Sequence, residues 1–195
     1  MLFRSALVNA GPITVALLGD TAPAEHVTLF GNAVLITRVP LFLFQAVQAA
    51  LLPRLTRLAA RGDIKEFRSG FNQLVILVFG VGVVGAVGAF AIGPNVLDLV
   101  YGGSIDRRTI TLLALASGIY MMALAIAQAV IALNGHKHVA IGWSLAFLAY
   151  ILTVWLVSDD LFLRVELALV SSSVVGLISF ATSLRTKLRS LSPTL

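Results

Sequence analysis

The sequence predicts an all-α membrane protein, a bundle of six transmembrane helices. Apolar residues make up 58% of its 195 positions and charged residues only 12%, whereas ordinary soluble domains carry about 25% charged. Mean hydropathy is +0.97. The charges sit in short clusters between long apolar runs. Strands of a membrane barrel would alternate every second residue over about ten positions, and runs such as LVILVFGVGVVGAVGAFAIG do not. There is no cysteine, hence no disulfide and no thiolate chemistry.

The first span covers residues 3–19, with Asn9, Gly11 and Pro12 inside it. Arg4, this apolar run and Ala22-Pro23-Ala24 also mimic a secretory signal with its cleavage site, although Asn9 and Pro12 interrupt the run. With so little chain ahead of it, the span reads instead as a start inside a longer gene. The second span covers 27–52. As one helix its 26 residues rise about 39 Å, against a hydrocarbon core of roughly 30 Å, so it should tilt or kink. Pro40 places a bend at 37–40, acting either as a hinge or as a static kink. Pro53 closes the span, and Arg54, Arg57 and Arg61 then follow at helical spacing around Leu55 and Leu58, an amphipathic stretch that either meets anionic lipid or, the favoured reading, merely sets the topology.

The third span covers 71–92. Gly93-Pro94 breaks it and leaves a short interfacial piece at 95–101 before Gly102-Gly103. Gly80, Gly82, Gly85, Gly88 and Gly93, with Ala86 and Ala89, make a small-residue stripe that lets helices approach closely. The fourth, fifth and sixth spans cover 109–133, 139–157 and 161–184. The bundle thus fills 1–184, and 185–195 form a short basic cytoplasmic tail.

Loop charge tests the count. With the N-terminus inside, ten Lys/Arg fall on the inner side: Arg4, the cluster from Arg54 to Arg68, Lys137 and the tail from Arg185 to Arg189. Arg107, Arg108 and Arg164 fall outside. This bias places both termini in the cytoplasm of a multi-pass cell-membrane protein. It also accounts for the formal charge of +5, so no nucleic-acid partner is implied. Trp143, Tyr150, Trp155 and Tyr101 fall near the expected interfaces. No Asp or Glu reads as mid-span; Glu166 is assigned with the outer charges.

Arg38 is the exception to an apolar interior. It lies about 16 Å of helix from one end of the second span and about 21 Å from the other, too deep to snorkel. A lone arginine in lipid costs between about 2.5 and about 17 kcal/mol, so it should face protein, ligand or water. Arg38, Gln45 and Gln48 recur at i, i+7 and i+10, one helical face. Arg38 then serves either as an anion-binding wall meeting phosphate oxygens, or as a clamp on carbonyls freed by Pro40. Ser117, Tyr120 and Gln128 share a face of the fourth span, lining the same cavity or bonding between helices. His136 and His138 have no acidic or thiol neighbours, so no metal site is expected. No nucleophile–base pair or paired carboxylate appears. Neither an enzyme nor a cofactor is expected.

The run LFGNAVLITRVPLFLFQAVQAALLPRLTRLAARGDIKEFRSGFNQ resembles the polysaccharide-export branch of the multidrug/oligosaccharidyl-lipid/polysaccharide flippase superfamily. The likeness lies in Arg38-Val39-Pro40, the segment ending Ala50-Leu51-Leu52-Pro53-Arg54, the break at Gly93-Pro94 with Leu99-Val100-Tyr101-Gly102, and Gln128 leading to Leu133-Asn134-Gly135-His136. It extends from Leu7 to about Trp155. The resemblance implies two six-helix lobes around a central cavity, moving a lipid-linked saccharide across the membrane by alternating access. Arg38, Gln45, Gln48 and Gln128 would contact the substrate and Pro40 would be the hinge. Six spans supply one lobe, the second, so a first lobe (missing or separately encoded) or a second copy is the expected partner, with membrane lipid around both. Alternatives are a multidrug or organic-cation efflux lobe of the same architecture, which a buried acidic residue would favour, and a non-transporting fragment.

Overall fold

The computed structural model describes residues 2–18 and 23–190. Asp20, Ala22 of the cleavage-like motif and residues 191–195 of the tail lie outside them, as does the side chain of Arg4. Seven helices cover the described residues: α1 Leu2–Leu18, α2 Ala24–Thr37, α3 Val39–Ala60, α4 Ile64–Tyr101, α5 Arg107–Ala132, α6 His136–Leu156 and α7 Leu161–Ser190. No strand occurs among them. Four of the helices, α4 to α7, are long and apolar enough to cross a bilayer. The fold is therefore all-α and compatible with a multi-pass membrane protein.

α5 is the centre. Half of its apolar stretch is buried, against 6% of α4's. Its buried face is alanine-rich, with Ala114, Ala116, Ala123, Ala125, Ala127 and Ala129, so α4 and α7 pack closely on either side while α6 backs α7. Backbone meets backbone between α4 and α5, where a Cβ on Gly118 would lie 3.2 Å from the Gly82 Cα. α1 to α3 close the remaining side, α1 tied to α6 by the Thr14–Tyr150 hydroxyl pair at 2.8 Å.

Two proline expectations change, and the bend expected at 37–40 is met by a full break. The second span is two helices: Arg38, at φ −95° and ψ −5°, ends α2 and caps α3. Its N–H turns back to Leu35 at 3.2 Å, three residues away, and its carbonyl accepts from Leu41 and Phe42. Pro40 has no N–H to give, and its ring would strike the carbonyl four residues earlier, so the chain breaks where the bend was expected. Pro53, by contrast, does not end its helix; α3 continues to Ala60, burying Leu55 and Leu58 and exposing Arg54 and Arg57. Nor does Gly93-Pro94 break α4, which runs unbroken for 38 residues. Gly93 serves close packing instead: a Cβ there would meet Ile110 of α5 at 3.0 Å. The true stop is Gly102 in the left-handed conformation, φ 70°, whose N–H returns to Asp98.

Two of the four supposed interfacial aromatics are core residues. Trp143 packs edge-on against Phe180 and near Tyr120, and Tyr150 is buried with Thr14. Trp155 and Tyr101 are exposed.

Candidate functional site

The break between α2 and α3 delivers Arg38 to the middle of the bundle. There it lines a small hollow of about 40 Å³ with Ser117 and Tyr120 of α5 and Ser172 and Ser173 of α7; Leu7 and Leu113 close the apolar sides. Five helices and the break thus converge on one polar spot. Thr37, buried beside Arg38, turns its hydroxyl back to the carbonyls of Ala33 at 2.9 Å and Val34 at 3.1 Å. Ser172 and Ser173 donate to the Leu169 carbonyl in the same manner, at 3.0 and 2.7 Å. The proton of each hydroxyl is thereby committed, and its lone pairs suit a donor such as the Arg38 guanidinium. A hollow of this size admits about one water, whose share of liquid volume is roughly 30 Å³.

A second cavity, of about 190 Å³, runs alongside between the break, α4 and α5. It is apolar and bordered by Gly85, Gly88, Val84 and Ile92. Thr37, Leu41 and Ser117 line both cavities, so one layer of side chains separates an oily groove from the polar hollow.

The sequence-predicted residues are only partly brought together. Arg38 meets Ser117 and Tyr120. Gln45 is exposed on α3, while Gln48 and Gln128 are half-buried, and none of these glutamines lines the Arg38 hollow. Pro40 borders the apolar groove and lies 3.7 Å from where a Cβ on Gly85 would stand. Sequence reasoning missed Ser172 and Ser173, although three successive serines at 171–173 in an apolar span were the available signal. Among the described residues no group of three or more His, Cys, Asp or Glu is arranged to hold a metal.

Glu166 is a larger correction. It is not an outer-loop charge: it lies five residues into α7 and is fully buried. Its Oε1 accepts a 2.6 Å bond from the Thr109 hydroxyl, and its Oε2 stands 3.7 Å from Arg108 Nε. The carboxylate is drawn inside because the first turns of α5 and α7 pack at the same level, a contact between residues 57 apart that no local pattern announces.

Family models, curated proteins and solved structures give no match to this chain. The flippase-like reading therefore rests on the motifs around Arg38 and on the geometry just described.

Proposed function

We propose that the chain is one lobe of a flippase-like transporter that moves a lipid-linked saccharide, or another polyprenyl-diphosphate precursor, by alternating access. The observation that carries this reading is Arg38, held at a helix break amid hydroxyl groups in an otherwise apolar bundle. An arginine there favours an anionic head group, and the fork of its guanidinium suits phosphate oxygens. The neighbouring oily groove suits a prenyl tail. In the conformation described the polar hollow holds about one water, so the head group enters only when the break flexes. A single lobe has no opposing wall, and a first six-helix lobe or a second copy completes the cavity. In this reading six segments cross the cell membrane, α2 and α3 forming one kinked crossing, and both termini face the cytoplasm.

The test is binding of a fluorescent polyprenyl-diphosphate to the purified protein, followed by transport with the complete assembly. Arg38→Ala should weaken binding at least tenfold and abolish transport while the protein still inserts; Arg38→Lys should recover only part. Equal binding by Arg38→Ala would remove Arg38 from the site.

The second reading is an organic-cation efflux lobe. Glu166 favours it, since a buried carboxyl is the feature that reading requires. Displacement of the fluorescent lipid by an organic cation, and not by inorganic diphosphate, would shift the choice toward it.

A further inference from the structure

Glu166 belongs neither to the Arg38 hollow nor to the apolar groove. It sits where α5 begins, with one carboxyl oxygen served and the other left over: Oε1 takes the Thr109 hydroxyl at 2.6 Å, while Oε2 has no hydrogen-bond partner among the described residues. The nearest cation, Arg108 Nε, is 3.7 Å from Oε2 and 3.8 Å from Asp106 Oδ2. Both separations exceed hydrogen-bonding range, so the guanidinium is shared almost evenly between two carboxylates and committed to neither. Asp106 has a further tie, accepting from the Arg108 backbone N–H at 3.1 Å as the cap of α5. Beside this cluster lies a cavity of about 210 Å³ lined by His26, Asp106, Arg108, Thr109 and Asp160. The exposure of Asp106, Arg108 and Asp160 opens it to water.

We propose that Glu166 is a proton-exchange site, and that binding a proton there hands the Arg108 guanidinium from Glu166 to Asp106. Each protonation state is half-satisfied by the surroundings. As a carboxylate, Glu166 holds Thr109 and draws on Arg108, but Oε2 lacks a donor. As an acid, it keeps Thr109 and no longer needs Arg108, which is free to close on Asp106. The proton arrives from water through the cavity beside Thr109 and Arg108 and binds Oε2. A hydronium ion gives up the proton: one of its O–H bonds breaks, leaving water, as the Oε2–H bond forms, and Arg108 keeps its charge. The charged groups facing the site are Arg108 and Asp106 from the start of α5, Asp160 from the turn before α7, and His26 from α2. Arg164, on α7 itself, is engaged with the Ser158 carbonyl at 2.7 Å and with Asp159. Neither the part of α1 from Leu7 onward nor the end of α6 nearest the site brings a charge. The inference stands apart from the transport reading, because a proton can be detected at Glu166 whether or not anything is carried.

The experiment is infrared difference spectroscopy of the full chain in liposomes, comparing acid with neutral buffer between about pH 5 and about pH 8. Other carboxyls titrate as well, so the signal is the protonated-carboxyl C=O band present in the native protein and missing from Glu166→Gln. The glutamine keeps the shape and the bond from Thr109, and monodisperse gel filtration checks its folding. Thr109→Val gives an independent reading in which the carboxyl remains and loses one donor: the same band should appear shifted to higher frequency. A band that survives in Glu166→Gln, or native spectra with no such band anywhere in the range, would overturn the proposal.

Discussion

At the scale of single residues, this chain is decided by a few polar side chains in oil. Arg38 was legible because one cation in an apolar run stands out on composition alone. Ser172 and Ser173 were not, because serine is small enough to pass unnoticed in a span and satisfies itself on its own helix. Gln45 misled because face arithmetic along a helix says which side a residue shares with Arg38, not what covers that side. Glu166 misled for the opposite reason: nearby Asp159, Asp160 and Arg164 suggest a loop, while its burial is imposed by α5. A smaller polar tie is open to measurement. Thr14→Val removes the hydroxyl that holds α1 to Tyr150 of α6 and should lower stability by about 0.6 kcal/mol, with an upper bound of about 1.7. The thermal unfolding midpoint in detergent reads it, and an unchanged midpoint would show that α1 is held by apolar packing alone.

At the scale of elements, α5 and α6 were readable within about three residues at each end, because hydropathy over a whole span is a strong signal, whereas α4 (Ile64–Tyr101) extends well beyond the expected 71–92 at both ends. Proline was the poor guide. Of Pro40, Pro53 and Pro94, only Pro40 stands at a helix break; α3 and α4 each run on through their prolines, where neighbouring groups can re-satisfy the freed carbonyl. The glycine stripe was read correctly as packing but only in part, for Gly82, Gly85 and Gly93 meet neighbours whereas Gly80 and Gly88 face open space. The Gly82–Gly118 contact is the place to test the seam. Gly118→Val would drive methyl groups into the α4 backbone and should destabilise the protein by about 1–3 kcal/mol. Gly80→Val, on α4 and facing open space, is the control and should leave the unfolding midpoint within error.

At the scale of the whole molecule, α4 is the outlier. Its 38 residues span about 57 Å, more than the roughly 40–45 Å of a bilayer with its head groups, so a membrane crossing by this helix requires steep tilt or protrusion. It also leaves an apolar sleeve of Phe79, Val84, Val87 and Phe90 uncovered by the rest of the chain. Crossing itself can be counted chemically because there is no native cysteine. Ser104 and Ser190 are exposed and separated by α5, α6 and α7. If all three helices cross, Ser104→Cys and Ser190→Cys should react with an impermeant maleimide from opposite sides of the membrane. Labelling of both from one side would mean that one of the three does not cross.

The wall formed by Thr37, Leu41 and Ser117 has a consequence of its own. Two compartments with opposite tastes in solvent share a single partition one side chain thick, set against the one joint where the backbone is already parted. Movement of that joint acts on both rooms at once. Wetting on one side and greasing on the other are therefore a single mechanical event.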